Sequence, residues 1–203
     1  MDEANLEGLR AAARAGHAPS MFRLGKLYDD AGRKQPATRW YQAAAEQGQT
    51  IAMINLALLI KRDDREAAMA WTLRAAEEGT DRTAQYNYGV FLEEDGRLAE
   101  AEQHYRAAAD MPYPAARNRL ACLLWDAGRN DEAEMWFRRA LEEWADSSDY
   151  PGDEDYEANT AIMFNLAGLL EEAGRPDEAL DLYSQAAGRG DAEAAEEVAR
   201  LSS

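Results

Sequence analysis

Residues 24–48 read LGKLYDDAGRKQPATRWYQAAAEQG. Leu24, Leu27 and Tyr28 fall at the three-and-four spacing that lines one face of a helix. Ala31-Gly32-Arg33 then interrupts the pattern, because glycine takes up the left-handed backbone that closes a helix without steric cost. The part after the turn is rich in Ala, Gln, Arg and Glu, which are good helix formers, and it stops at Gly48. The stretch therefore predicts two helices joined by a glycine turn.

Outward from this unit, the same arrangement returns every 32 residues. Gly32, Gly96 and Gly128 lie on one grid, and Asp64 takes the missing point in Arg62-Asp63-Asp64-Arg65. Gly174 follows Gly128 by 46 residues, so about 14 residues are inserted before the last full unit. Leu9, Tyr41, Leu73, Tyr105, Phe137 and Tyr183 form a large apolar column. Three positions later stand Ala12, Ala44, Ala76, Ala108, Ala140 and Ala186. Leu24-Gly25, Leu56-Ala57, Tyr88-Gly89, Leu120-Ala121 and Leu166-Ala167 form another column, followed four residues on by Tyr28, Ile60, Leu92, Leu124 and Leu170. The small residues allow close approach of helices, and the large ones fill the space beside them. No pair of this kind buries its apolar face alone, so stacking of repeats is the expected source of stability. The grid predicts an all-α chain of about 12 helices in one domain over 1–203. It divides into a half repeat at 3–16, full repeats at 18–48, 50–80, 82–112, 114–142 and 160–190, an insertion at 143–158, and a capping helix at 191–202. Sustained two-residue alternation is absent, which argues against strands.

Composition narrows the function. The net charge of −17 disfavours nucleic acid and anionic membranes as partners. Residues 1–80 carry 11 basic and 11 acidic side chains, whereas 81–203 carry 11 basic and 28 acidic, so the excess is confined to the second part. The longest apolar run, 51–60, is too short to span a bilayer. The polar start MDEANLEGLR is unlike a signal peptide, and a cytoplasmic location is expected. Cys122 is the only cysteine, and only His17 and His104 accompany it, so no disulfide, zinc site or other cofactor is expected. No phosphate loop, His-Glu-x-x-His or Gly-x-Ser-x-Gly occurs, and the chain reads as a non-enzyme. Cys122 reads as a buried structural thiol, and His17 and His104 as surface or cap residues. Asp153, Glu154 and Asp155 in the insertion do not match an EF-hand spacing, so the segment reads as an acidic loop in which Trp144, Tyr150 and Tyr156 allow partial packing.

The columns resemble the tetratricopeptide repeat (TPR) and its Sel-like relatives, whose pattern is a Leu-Gly pair, Tyr, a turn-side Ala, an aromatic and Ala. The first full repeat carries it as Leu24, Gly25, Tyr28, Ala37, Tyr41 and Ala44. The fifth carries Leu166, Ala167, Leu170, Ala179, Tyr183 and Ala186. The second departs at Met69, the period is 32 rather than 34, and the proline after the second helix is mostly missing. Residues 40–48, WYQAAAEQG, are closer to the Sel-like branch. The resemblance implies a right-handed superhelical solenoid whose first helices line a concave groove that binds proteins or peptides. On that basis the function expected is a non-catalytic adaptor; the alternative is a scaffold that self-associates through its end helices or the acidic insertion.

The resemblance also places the residue before the Leu-Gly pair in the groove. That column is Arg23, Asn55, Asn87, Arg119 and Asn165. An amide offers a donor and an acceptor to a peptide backbone, and a guanidinium can hold a carboxylate through two bonds. The same side chains would equally serve as bonds between adjacent helices, and both roles stay open. Phe22, Tyr86 and Phe164, one position earlier, are possible apolar contacts to a ligand or members of the core. Lys26, Lys61 and Arg62 join Arg23, while Glu93, Glu94, Asp126, Glu171 and Glu172 follow later. An acidic group or C-terminal carboxylate is therefore expected to dock by Arg23, Lys26 and Arg62.

Overall fold

The computed structural model describes residues 3–78, 81–142 and 154–203. Twelve helices, and no strand, occur among the described residues. They are α1 (Glu3–Arg14), α2 (Ala18–Asp30), α3 (Lys34–Glu46), α4 (Thr50–Ile60), α5 (Arg65–Glu78), α6 (Arg82–Glu94), α7 (Leu98–Ala109), α8 (Pro114–Asp126), α9 (Asn130–Glu142), α10 (Glu154–Glu172), α11 (Pro176–Gly188) and α12 (Ala192–Leu201). The even-numbered helices hold the first-helix columns, and the odd-numbered ones hold the second-helix columns. The chain is an all-α helical-repeat solenoid. The chain forms two compact units, Met1–Arg97 and Leu98–Ser203.

The glycine turns do what the breaker phrase predicts. Gly32 has φ 67°, and the next amide, Arg33 N–H, donates to Tyr28 C=O at 2.8 Å, closing the helix end with a six-residue loop. The turn without glycine is built differently. Asp64 keeps a negative φ, its N–H donates to Ile60 C=O at 2.8 Å, and its carboxylate accepts from Ala67 N–H at 2.9 Å at the start of α5.

Within unit 1, each helix packs on its neighbour in the chain from α1 through α6. Leu9, Leu24, Tyr41, Met53 and Leu56 lie in a continuous core. The small and large columns meet face to face rather than side by side. The Tyr41 ring sits over Gly25 so closely that a Cβ there would lie 2.5 Å from Tyr41 Cδ1. Unit 2 repeats the scheme from α7 through α12, with Tyr105, Leu120, Leu124, Phe137, Leu166, Leu170 and Tyr183 buried. Arg117 is also buried, 1% exposed, in the column that three other repeats fill with Met21, Met53 and Met163. Its guanidinium donates to Ala109, Met111 and Arg139 carbonyls at 3.0–3.3 Å, so it satisfies the open ends of α7 and α9.

The helix α10 begins at Glu154, so 154–158 of the expected insertion are helical. The remainder of that segment, with Trp144, Tyr150 and Asp153, lies outside the described residues, as does Gly79.

Candidate functional site

A first helix buries one face against its repeat and leaves the other open. On α4, Ala52, Met53, Ile54, Leu56 and Ala57 are buried, while Ile51, Asn55 and Leu58 share the opposite face at i, i+4 and i+7. Ile51 and Leu58 are 50% and 59% exposed. Arg62, just past the helix, is exposed in continuation of that face. The matching face of α2 presents Arg23 and Lys26, both exposed, and that of α6 presents the half-buried Asn87. Lys26 makes only an open i,i+4 pair with Asp30 at 3.4 Å. Arg23, Arg62 and Asn87 have no side-chain partner among the described residues.

Asn55 is differently placed. Its Nδ2 donates to the Tyr41 hydroxyl at 3.5 Å, and that hydroxyl donates to Asp29 Oδ2 at 3.2 Å. The relay ties α4 to α3 and α3 to α2. Burial is the main reason the Tyr41 hydroxyl is pushed up to about 12; the Asn55 bond opposes it and the Asp29 charge adds to it. Lys61, expected among the basic groove residues, is instead paired with Glu94 at 2.7 Å and lies over the Phe91 ring. Arg65 joins it on Glu94 and Asp95 at 3.3 and 2.7 Å. Lys61, first among several causes, holds the Glu94 carboxyl below its ordinary range. The possible apolar contact Phe22 packs on Tyr41 in its own repeat, with centroids 5.9 Å apart. Tyr86 is half-buried.

In unit 2 the column acts between helices. Asn165 Nδ2 on α10 donates to Asn118 Oδ1 at 3.1 Å and reaches Cys122 Sγ at 3.5 Å, both on α8. Cys122, read as buried, is half-buried beside these amides. Phe164 meets the Tyr183 ring edge-on at 5.3 Å. Arg119 is exposed. Of the acidic residues expected to line a groove, Glu171 binds Arg200 at 2.6 Å and Glu172 accepts from Trp125 Nε1 at 2.8 Å. His17 stands exposed ahead of α2, with Nδ1 2.8 Å from Ser20 Oγ, and His104 is half-buried on α7.

The second helices of unit 2 carry a charge ladder. Glu102, Arg106, Arg129 and Glu132 close a four-membered ring of ion pairs at 2.7–2.8 Å. One repeat on, Glu134, Arg138, Arg175 and Glu178 close the same ring at 2.6–3.2 Å. These arginines are committed to internal carboxylates, in contrast to Arg23 and Arg62.

Sequence reasoning missed Ile51 and Leu58 as site residues. The signal was present: residues 51–60 hold no polar side chain except Asn55, so one apolar face had to remain open in a repeat buried on the other. Among the described residues no cluster of three or more His, Cys, Asp or Glu is placed to hold a metal ion, and no helix is long and apolar enough to cross a membrane.

Comparison with known proteins follows the same columns. Models of the tetratricopeptide repeat match residues 61–114 and 113–192. No curated protein matches the chain. Among solved structures, c5321, a protective antigen of uropathogenic Escherichia coli with an SLR fold, superposes with TM-score 0.70 at 22% identity, over 96% of this chain and 46% of that one. PilF of Pseudomonas aeruginosa gives 0.68 at 19% identity, over 96% and 90%. YrrB, described as a TPR protein with an unusual peptide-binding site, gives 0.67 at 16% identity, over 94% and 96%. The repeat columns, the helix pairs and these matches agree: the chain belongs to the tetratricopeptide-repeat family.

Proposed function

We propose that the chain is a non-catalytic cytoplasmic adaptor whose unit 1 holds an acidic peptide end on the open face of α2, α4 and α6. Tetratricopeptide-repeat folds serve protein–protein interaction generally. The observation that carries the finer reading is one of contrast. In a chain with 17 excess negative charges, Arg23 and Arg62 have no carboxylate partner among the described residues, on the face that also exposes Ile51 and Leu58. Arg23, Lys26 and Arg62 supply charge for a carboxylate, Ile51 and Leu58 supply apolar contact for a neighbouring side chain, and Asn87 offers a free amide to the backbone. Arg119 and Asn165 belong to the equivalent face of unit 2. There Asn165 is tied to α8, so the ligand-holding role is assigned to unit 1. The peptide-binding site described for YrrB is consistent with this use of the fold.

The test starts from a random peptide library displayed with free C-termini. Enriched peptides are expected to end in acidic and apolar residues. Titration by fluorescence anisotropy then compares each peptide with its C-terminal amide, on wild type and on Arg23→Glu/Arg62→Glu. A charge-assisted bond contributes about 1.5–3 kcal/mol, so each change is expected to weaken binding by roughly ten- to a hundredfold. Undiminished binding to the double variant would remove the proposed site.

A further inference from the structure

In unit 2 the amide column is committed, since Asn165 is tied to α8. One largely buried hydroxyl is not. Tyr183 on α11 is 4% exposed, and its hydroxyl has no hydrogen-bond partner among the described residues. Unlike the sealed polar atoms of Gln49, Trp136 and Asn159, that oxygen keeps contact with solvent. Its counterpart in unit 1, Tyr41, accepts from Asn55 and donates to Asp29. For Tyr183 the same two columns hold Glu197 and Glu171. Both oxygens of Glu171 take Arg200 at 2.6 Å, and Glu197 binds the same guanidinium at 2.6 Å. An ionised carboxylate donates nothing, so the exchange of Asn55 for Glu197 leaves the Tyr183 oxygen without a donor.

Gly168 on α10 sets what lies beside that oxygen. It is half-buried in a helix interior, in a column that elsewhere reads Lys26, Leu58, Val90 and Cys122. A Cβ at Gly168 would lie 2.9 Å from Trp125 Cη2 and 3.5 Å from Tyr183 Oη. The missing side chain therefore lets an indole from α8 and the unused hydroxyl from α11 converge on one point. The indole is fixed by its N–H, which donates to Glu172 at 2.8 Å, and it is only half-buried. Asp126, next to it in the chain, is exposed and without a side-chain partner among the described residues. Burial first, and then the charges of Glu171, Glu197 and Glu172 against the single Arg200, hold the Tyr183 hydroxyl above the ordinary tyrosine range. The field at the oxygen is thus negative.

We propose that this point receives the arginine side chain of a basic segment in a partner protein, stacked on Trp125 and donating to the Tyr183 oxygen. What Tyr183 lacks is an N–H donor, what surrounds it is negative, and what flanks it is an aromatic plane. A guanidinium answers all three, with N–H groups in a fixed fork, a positive charge and a flat face. A lysine ammonium is more strongly hydrated and has no plane to stack. A carboxylate, the ligand proposed for unit 1, would be repelled. The two sites ask for opposite charges, and neither rests on the other.

The probe is the peptide acetyl-Gly-Gly-Arg-Gly-Gly-amide, whose blocked ends keep it from the carboxylate site of unit 1. It is titrated into the full chain while nuclear magnetic resonance follows the Trp125 indole N–H, assigned with Trp125→Phe, and the Gly168 amide. Both signals should shift and saturate, with a dissociation constant on the order of 1 mM for one side chain. The lysine peptide should bind more weakly, and the neutral citrulline peptide should produce no shift. Because the Tyr183 hydroxyl bonds to nothing in the fold, Tyr183→Phe should leave the thermal midpoint in place and yet weaken the arginine peptide roughly tenfold. Glu172→Gln keeps an acceptor for the indole but removes a charge, and should also weaken it. Asp177→Asn removes the same charge on α11, away from the site, and should leave the affinity unchanged. No saturable shift at either signal, equal binding of the arginine and citrulline or lysine peptides, wild-type affinity in Tyr183→Phe, or an equal loss in Asp177→Asn and Glu172→Gln would each overturn the proposal.

Discussion

Gly25→Ala puts two effects of opposite sign against each other inside α2. Alanine is the better helix residue by about 0.8–1.0 kcal/mol, so on propensity alone the change stabilises. The structure says otherwise. The added methyl would sit 2.5 and 2.7 Å from Tyr41 Cδ1 and Cε1. That ring cannot swing aside, since it is 1% exposed, packs on Phe22 and is fixed at its hydroxyl by Asp29 and Asn55. Overpacking of this kind costs about 1–3 kcal/mol, and loss of the relay adds about 1 kcal/mol. The net expected destabilisation is about 1–3 kcal/mol, or roughly 2–12 °C in the thermal midpoint for a chain of this size. Gly8→Ala is the control, since nothing lies within 4 Å of its new methyl and the helix gain should appear undiminished. Adding Tyr41→Leu to Gly25→Ala recreates the Ala57–Leu73 combination and should recover part of the loss in a double-mutant cycle. Thermal melts followed by circular dichroism measure these three variants and Tyr41→Leu alone, which closes the cycle. A Gly25→Ala chain as stable as wild type would refute the claim that this column is set by ring-to-backbone approach.

The Asn column should split by role: Asn55→Ala and Asn165→Ala are expected to lower stability by about 0.5–1.5 kcal/mol each, while Asn87→Ala leaves the melting midpoint in place. An equal loss at all three would mean that Asn87 is also a helix-to-helix bond. The raised Tyr41 hydroxyl makes stability alkali-sensitive: its contribution is fully present below the ordinary value of 10.0 and is lost as pH rises through about 12. Tyr41→Phe should flatten the fall of the midpoint over that interval. At the acid side, burial raises the Glu102 and Glu134 carboxyls but hydrogen bonds from Arg106 and Arg129, and from Arg175 and Arg138, outweigh it, so both end below the ordinary 4.5. Their stabilisation is present above 4.5 and disappears as pH falls below it, and Glu102→Gln/Glu134→Gln should flatten the acid limb of the midpoint-against-pH curve.

Most of the fold was legible because it is written in columns. The alternation of Gly32, Gly96, Gly128 and Gly174 with the Tyr41, Tyr105, Phe137 and Tyr183 column located the helix pairs, since turn closure and close packing each demand a narrow set of residues at a fixed distance. The start of α10 escaped because Glu154, Asp155 and Tyr156 continue a helix without carrying an apolar stripe. The candidate site was less legible. Column position placed Arg23, Asn55 and Asn165 alike, but whether an amide is free depends on what stands 3 Å away in another repeat. Tyr41 takes Asn55, Asn118 takes Asn165, and the spacing of the Asn column contains neither fact. The ladder of Glu102, Arg106, Arg129 and Glu132 had a readable signal, an acid and a base four apart on one helix facing a base and an acid three apart on the next, recurring at Glu134, Arg138, Arg175 and Glu178.

Because every helix within a unit packs mainly on its neighbours in the chain, little chain has to be searched for its partner. Loop closures are short, which favours rapid folding and lets order start at any pair and spread. During synthesis this means that α1 and α2 can settle while α5 is still inside the ribosome, and that a half-finished chain needs no distant strand or late segment to hide its apolar surface. Exposure to aggregation is limited to the most recently emerged helix, whose open face is covered as soon as the next one follows.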